Sequence, residues 1–384
     1  MKKVIIGLTC VLNSINISNA CSDIFINKNG YTVEARSMDF PVDIASINGW
    51  GYIGVENITN IAIDTEKVPK ENLTHWENKY GYFGRFAFGS RVVDGINTQG
   101  LSFSALYLEG TEYPKYNPND NRDVLGIYDL SNFLLGMAKD VNEAIDLIKS
   151  HQIIDSAIPI KNGIFINNIP IHFSLRDKTG NTAIVEFIDG NVKIHNNAGN
   201  VLTNLPVYNE QLENANNYNF LLKNNKRDSS IQNIDSSDKI TSHSANEDEN
   251  LLGLPGDFSS TSRFVRGYIL TSKIKSPTSI NEAKYQAVSI LNNLSVPPYK
   301  SKSSTLWTTV KDLQNLTVAY KDNILSQGES IDRKYVISFD SGYITYDLKA
   351  MNFSKPKGAN EKYSIKSLSK NDIIKVISME NVIS

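Results

Sequence analysis

Residues 21–39 read CSDIFINKNGYTVEARSMD, and this stretch sets the class of structure to expect. Two runs that favour β-strands, residues 22–26 and 31–36, flank the turn sequence Asn27-Lys28-Asn29-Gly30. Asn and Gly tolerate the backbone conformations that a tight turn between antiparallel strands needs. The stretch therefore predicts a β-hairpin that starts beside Cys21 and ends at Arg36 and Asp39.

The twenty residues before this hairpin have the pattern of a secretory signal peptide. Met1-Lys2-Lys3 is basic, residues 4–12 are apolar, and Ser18-Asn19-Ala20 supplies the small residues of a cleavage site. The apolar run is too short to span a bilayer. We therefore expect cleavage after Ala20 and an exported protein, periplasmic or secreted, that is not inserted in a membrane afterwards.

Cleavage at that point separates the two cysteines of the chain. Cys10 would leave with the signal, and Cys21 would become the first residue, carrying a thiol and a free α-amino group. An α-amino group with a pKa of about 7.7–8.0 can accept a proton from a nearby thiol, so one residue can be both nucleophile and base. Two other interpretations stay open here: a lipid anchor on the Cys21 sulfur, and a buried cysteine without a chemical role.

Composition excludes several classes of protein. The chain has 384 residues, enough for one large domain or two ordinary ones, and a formal charge of −2, which argues against nucleic acid as the main partner. Two Cys and 5 His exclude a disulfide scaffold and make a metal site improbable. The sequence has no HExxH, CxxC, phosphate-loop or GxSxG motif, so we expect no metal and no cofactor.

The order of predicted elements indicates an α+β protein. Strands are expected at residues 22–26, 31–36, 89–95, 101–108, 305–310 and 317–320, with strand pairs between 171 and 195 and around 340–342. Helices are expected at residues 130–138, 140–148 and 279–294, the last two with capping boxes. Residues 113–123 and the polar residues 223–250 are expected to be loops, the second an insertion within one domain spanning residues 21–384. Sequential hairpins separated by helices favour antiparallel sheets with helices packed on them.

Four further segments follow Cys21 in a fixed order. They are Arg36-Ser37-Met38-Asp39, the run from Asp94 through Tyr107, Leu202-Thr203-Asn204-Leu205-Pro206, and Gly253-Leu254-Pro255-Gly256-Asp257 continuing through Arg263 to Arg266. Taken alone, Arg36 and Asp39 predict a surface salt bridge at the end of a hairpin. Together with an N-terminal cysteine, the ordered set resembles the choloylglycine hydrolase family of N-terminal nucleophile hydrolases, which includes bile salt hydrolases and penicillin V acylases.

The resemblance implies a fold and a set of roles. The fold is a four-layer α-β-β-α sandwich of two antiparallel sheets between helical layers, often assembled as a homotetramer. Cys21 would attack an amide carbonyl, Asp39 would orient Cys21, and Arg36 and Arg263 would lie beside the nucleophile. Asn204 and the backbone N–H of Tyr107 would donate to the oxyanion.

The resemblance also implies a small-molecule amide as substrate. The candidates are penicillin V, acyl-homoserine lactones and other N-acyl amides, with conjugated bile salts as the alternative. At the position of Tyr107 the chain is similar to penicillin V acylases, whereas bile salt hydrolases usually have Asn there. This difference favours a substrate of the penicillin V acylase type. A lipid-anchored, non-catalytic binding protein is the alternative from a different class.

Overall fold

The computed structural model describes residues 21–40, 46–61, 68–87, 91–159, 165–167, 169–222, 251–297, 304–323 and 342–355. The predicted signal peptide, residues 1–20, and the predicted polar insertion, residues 223–250, lie outside the described residues. Two further predictions lie partly outside the described residues. They are the first part of the strand pair around 340–342 and the start of the strand at 89–95.

The described strands, in chain order, are β1 Ser22–Lys28, β2 Tyr31–Phe40, β3 Ile47–Gly51, β4 Glu56–Ile58, β5 His75–Glu77, β6 Tyr82–Ala87, β7 Arg91–Asn97, β8 Ser102–Tyr107, β9 Val124–Gly126, β10 Gln152–Ile154, β11 Ala157–Pro159, β12 Phe165–Asn167, β13 Ile171–Arg176, β14 Thr182–Ile188, β15 Asn191–Asn196, β16 Val201–Leu202, β17 Ser304–Asp312, β18 Thr317–Asp322 and β19 Ile344–Asp347. The α-helices are α1 Leu130–Met137, α2 Val141–Lys149, α3 Tyr208–Asn216, α4 Ser260–Lys273 and α5 Ile280–Leu294. Short 3-10 turns cover Lys70–Asn72, Ile127–Asp129, Asn219–Leu221 and Leu348–Ala350.

Two large antiparallel sheets form the centre of the molecule. Sheet one has six strands in the order β16-β1-β2-β17-β18-β19, and sheet two has seven in the order β15-β14-β13-β8-β7-β6-β3. Helices α3, α4 and α5 cover sheet one, where α5 packs on β1 and β2. Helices α1 and α2 cover sheet two on the side of β7, β8 and β14. The predicted α+β fold with α-β-β-α layering is confirmed.

The N-terminal hairpin forms as predicted, with a tighter turn. Strands β1 and β2 pair from Ser22↔Ser37 to Lys28↔Tyr31, so only Asn29 and Gly30 remain in the turn. Both have positive φ, 52° and 79°, as a type I′ hairpin turn requires. Its two strands also pair with β16 and β17, which places the start of β1 inside sheet one.

The remaining predicted elements within the described residues agree with the structure over most of their length, and two helices were not predicted. Helix α2 begins after Asp140, whose side chain accepts from the Glu143 backbone N–H, and α5 begins after Ser279 in the same way. Helices α3 and α4 were absent from the prediction. Their buried faces include polar residues, which weakens the apolar periodicity. Helix α3 packs on α4, and α4 packs on α3, α5, β1 and β16.

Charged side chains fill part of the space between the sheets. Lys311 Nζ of sheet one lies 3.1 Å from Glu34 Oε1 and 2.8 Å from Asp94 Oδ1 of sheet two, and all three side chains are fully buried. Arg36 also contacts Asp94, at 3.4 Å. Burial opposes the charge of Lys311, but Asp94 and Glu34 outweigh it and raise its pKa. Opposite charges therefore hold the two sheets in one relative position.

No helix among the described residues is long and apolar enough to cross a membrane.

Replacing Lys311 with Met should destabilise the protein strongly. The change leaves the Glu34 carboxylate buried without its cation and leaves Asp94 with Arg36 as its remaining cation, which costs about 3–5 kcal/mol. Denaturant unfolding at pH 7 measures the change in the free energy of unfolding. The control Lys149→Met, at an exposed position of α2, should stay within about 0.5 kcal/mol of the parent protein. Equal stability of the two variants would contradict the role given to the ion pairs.

Candidate active site

Cys21 lies just before β1, at the end of sheet one, and is buried. Its backbone nitrogen donates to Asn204 Oδ1 at 2.7 Å. Its Sγ lies 3.6 Å from Met38 Sδ and 3.8 Å from the backbone oxygen of Asp39. The thiol therefore sits against β2, at the end of the predicted hairpin.

Arg263 fixes the backbone around Cys21. It lies in the first turn of α4, which begins after Ser259, and its side chain is fully buried. Nη1 donates to the Cys21 carbonyl at 2.6 Å and to Ser22 Oγ at 2.7 Å, and Nη2 donates to Asn204 Oδ1 at 2.9 Å. A planar guanidinium suits this role because its donors point in fixed directions.

The orientation of the Asn204 amide follows from its neighbours. Cys21 N and Arg263 Nη2 both donate to one side of the amide, which must be the oxygen Oδ1. Nδ2 therefore faces the other way and donates to the Tyr107 carbonyl at 2.7 Å. An amide nitrogen carries two hydrogens, so one of them remains to meet a negatively charged oxygen of a substrate.

Tyr107 ends β8 next to this amide. Leu108 N donates to the Pro170 carbonyl, so the neighbouring pair Tyr107↔Ile171 is a non-hydrogen-bonded pair of the β8–β13 ladder. The N–H and C=O of Tyr107 then project away from β13, toward Asn204, which bonds the carbonyl. The structure thus brings the two predicted oxyanion donors to one place.

Asp39 is a buried carboxyl group beside the nucleophile. Ser37 Oγ donates to Oδ2 at 3.1 Å, and Thr305 Oγ1 donates to Oδ1. Burial raises the pKa of Asp39 to about 6, although Arg263 and the two hydroxyl groups act in the opposite direction. Asp39 is therefore ionised at neutral pH and becomes protonated in mildly acidic solution.

Arg36 does not form the surface salt bridge that its sequence position alone suggests; that prediction is wrong. Both Arg36 and Asp39 are fully buried, and the ion-pair partner of Arg36 is Asp94. Its guanidinium also donates to the carbonyls of Val93, at 2.9 Å, and Ala105. The side chain points between the sheets because these acceptors lie on sheet two.

Met38 links Arg36 to the thiol. Its Sδ lies 3.7 Å from Arg36 Nη2 and 3.6 Å from Cys21 Sγ. The Met38 side chain therefore bridges the Arg36 guanidinium and the Cys21 thiol. The structure therefore brings together all six predicted site residues, namely Cys21, Arg36, Asp39, Tyr107, Asn204 and Arg263.

Several side chains that support Asn204 were not predicted. Ser260 Oγ accepts from Asn204 N at 2.8 Å, and Gln211 Nε2 donates to the Asn204 carbonyl at 2.6 Å. His172 Nε2 contacts the Thr203 carbonyl at 2.8 Å. Among the residues that the structure describes, no histidine forms a hydrogen bond with the Cys21 thiol. The same residues contain no group of three or more His, Cys, Asp or Glu side chains that could hold a metal ion.

Comparison with known proteins identifies the family. The profile of the linear amide C–N hydrolases, choloylglycine hydrolase family, matches residues 21–327. The chain belongs to this family. The region that matches the choloylglycine hydrolase family begins at Cys21, the residue that the sequence predicts as the nucleophile.

Its curated relatives come from both branches of the family. A penicillin V acylase of Pectobacterium atrosepticum is 28% identical over 193 residues, which cover 47% of this chain and 47% of the relative. A bile salt hydrolase/transferase of Clostridium perfringens is 27% identical over 247 residues, covering 62% of this chain and 68% of the relative. The chain thus aligns with about half the length of the acylase, and the two identities are nearly equal.

Solved structures show the same fold. A penicillin V acylase from Agrobacterium tumefaciens has a TM-score of 0.63 at 24% identity, covering 87% of this chain and 88% of that one. A mutant of a conjugated bile acid hydrolase from Clostridium perfringens has a TM-score of 0.66 at 20% identity, covering 92% of this chain and 97% of that one.

Amide turnover should decline as the pH falls through about 6. Asp39 becomes protonated in this range, and Arg36 and Arg263 lose the negative charge between them. We expect kcat/KM to fall by up to about tenfold per pH unit below pH 6. The measurement is a pH–rate profile from 4.5 to 8.5.

A matched variant serves as the control for this profile. Asp146→Asn, at an exposed position of α2, should show the same fall of kcat/KM at acidic pH as the parent protein. Asp39→Asn should lower kcat/KM at every pH from 4.5 to 8.5. A constant rate between pH 7 and pH 5 would rule out the ionised Asp39 as a requirement.

Proposed function

We propose that this protein hydrolyses linear, non-peptide amide C–N bonds with Cys21 as an N-terminal nucleophile. The observation that supports it most strongly is the meeting of Cys21, Asn204 and Arg263 in one hydrogen-bonded group. In this group the Asn204 amide accepts from the Cys21 nitrogen and donates to the carbonyl of Tyr107, at the end of β8. The backbone N–H of Tyr107 faces the same amide. Family membership supplies the reaction class.

The chemistry then proceeds through a thioester. The Cys21 thiolate forms a bond to the amide carbonyl carbon, and the C=O electron pair moves to the oxygen. Asn204 Nδ2 and the Tyr107 N–H stabilise this oxyanion, a contribution of about 100- to 1,000-fold per donor. The oxyanion electron pair re-forms the C=O bond as the C–N bond breaks, and the amine leaves with the proton that the Cys21 α-amino group accepted from the thiol. Water then adds to the thioester carbonyl carbon, the C–S bond breaks, and the acid and the free Cys21 thiol are released.

This mechanism requires a free α-amino group on Cys21. Cleavage of a signal peptide after Ala20 would provide it, which agrees with the basic and apolar pattern of residues 1–12 and with a family match that begins at residue 21. We therefore propose an exported protein, periplasmic or secreted.

The lipid-anchor alternative receives no support from the geometry of Cys21. The residue is only 1% exposed, and its sulfur packs against Met38. A diacylglycerol group on that sulfur would have to displace β2 or pull the start of β1 out of sheet one. We therefore do not propose an anchor.

For the substrate we propose a small-molecule N-acyl amide of the penicillin V or acyl-homoserine lactone type. Tyr107 favours this choice over conjugated bile salts, which are the second candidate. The relatives do not separate the two, because their identities are 28% and 27%. The homotetramer implied by the family resemblance stays a prediction.

Cys21→Ala should lower kcat by at least about 10⁴-fold, because the nucleophile is removed. The variant should keep the unfolding midpoint of the parent protein, since the side chain changes by one atom. A second variant that retains one Gly before Cys21 should be equally inactive, because its α-amino group becomes a peptide amide.

Intact mass provides the control for both variants. The active parent protein should begin at an unmodified Cys21, and the Gly-extended variant should be one glycine heavier. Turnover by Cys21→Ala, or a lipid adduct on the Cys21 of the active protein, would contradict the mechanism.

A panel of amides should separate the substrate candidates. We expect kcat/KM for penicillin V or N-acyl-homoserine lactones to exceed the value for glycine- and taurine-conjugated bile salts by at least about tenfold, about 1.4 kcal/mol. Release of the free amine is the readout for every substrate. Faster hydrolysis of the bile salt conjugates would assign the chain to the second candidate.

A further inference from the structure

A buried cluster of two histidines and a glutamate lies behind the Asn204 segment. His172 of β13 and Glu186 of β14 are fully buried, and His195 of β15 is 19% exposed. His172 Nδ1 lies 3.2 Å from Glu186 Oε1, and His195 Nε2 lies 3.0 Å from Glu186 Oε2. The proposed chemistry gives no role to these residues, and none of them contacts Cys21 in the described hydrogen bonds.

Both ring nitrogens of His172 face acceptors. Nδ1 faces the Glu186 carboxylate, and Nε2 faces the carbonyl of Thr203 at 2.8 Å, which can only accept. The Thr203 carbonyl therefore accepts from Nε2, and the Nδ1 side of the ring lies against the Glu186 carboxylate. Burial alone would raise the pKa of Glu186, but the hydrogen bonds from His172 and His195 outweigh it and bring the pKa to about 2. His172 and Glu186 therefore form one buried, hydrogen-bonded pair.

The His172–Glu186 pair holds both ends of one short segment. His172 donates to the carbonyl of Thr203, and the backbone N–H of Tyr208 donates to Glu186 Oε1 at 3.0 Å. Asn204 lies between these two points, in the turn that joins β16 to α3. A buried, hydrogen-bonded pair that binds residues 203 and 208 limits the movement of the backbone that carries the Asn204 side chain.

We propose that His172 and Glu186 are positioning residues that hold Asn204 in place for the oxyanion. The proposal rests on the proposed function, since it assumes that Asn204 donates to the reacting oxygen. A displacement of about 1 Å at such a donor can cost about 100-fold in rate. Because the His172–Glu186 pair contacts the Asn204 segment and not the thiol, its loss should slow turnover while leaving the reactivity of Cys21 unchanged.

The test compares His172→Leu, His172→Gln and Asn204→Ala in the mature full chain, with any amide that the parent protein hydrolyses. We expect His172→Leu to lower kcat by about 10- to 100-fold with KM within about threefold. His172→Gln should retain most of the kcat that His172→Leu loses, because the Gln amide can still donate to the Thr203 carbonyl. The rate of Cys21 alkylation by iodoacetamide should stay within about threefold in both His172 variants.

A control variant and a second route keep the test decisive. His151→Leu removes a histidine that bonds the Leu147 carbonyl on α2, and it should leave kcat unchanged. If His172→Leu does not fold, Glu186→Gln replaces it. In that variant His172 Nε2 can still donate to the Thr203 carbonyl, so we expect a smaller loss in kcat, about three- to tenfold.

Three outcomes would overturn the proposal. They are a folded His172→Leu with kcat within about threefold of the parent protein, a parallel fall of kcat and alkylation rate, and no recovery in His172→Gln. Asn204→Ala separates this proposal from the proposed function. If Asn204→Ala keeps its activity, the oxyanion role of Asn204 is wrong; if it is inactive while His172→Leu is active, only the positioning role is wrong.

Discussion

The active-site end of the molecule depends on one buried guanidinium. Arg263 joins the Cys21 carbonyl and Ser22 Oγ at the start of β1 to Asn204 Oδ1, a residue 183 positions further along the chain than Cys21. A buried cation requires such partners, because removal from water is otherwise costly. The same contacts that satisfy Arg263 therefore hold Cys21, the Asn204 amide and α4 in one unit.

A second constraint acts between the sheets. Arg36 and Lys311 of sheet one share Asp94 of sheet two, so the spacing of the sheets is set by ion pairs as well as by apolar packing. Arg36 reaches the thiol only through this arrangement, since its guanidinium contacts the same Met38 sulfur as Cys21. A charged side chain that joins the two sheets thus also packs on the methionine that contacts the thiol.

Support for Asn204 comes from outside the group of residues that would touch substrate. Gln211, Ser260 and the His172–Glu186 pair all bind the backbone around it. Oxyanion stabilisation depends on donors that are fixed before the reaction, so a mobile turn would be a poor place for one. The site is therefore better understood as a short turn held from three sides than as a set of isolated catalytic side chains.

Local sequence determined the elements whose signals are local. The Asn29-Gly30 turn fixed the first hairpin, the capping boxes at Asp140 and Ser279 fixed the starts of two helices, and the ordered motifs pointed to all six site residues. Helix α4 was not predicted because its Ser- and Thr-rich start has weak helix propensity; the spacing of Phe264 and Tyr268 was the signal available. Tertiary structure alone decided that Arg36 pairs with Asp94, how the Asn204 amide is oriented, and that His172 supports it. These depend on which acceptors from distant strands meet a buried donor, and that meeting is a property of the folded sheets and not of neighbouring residues in the chain.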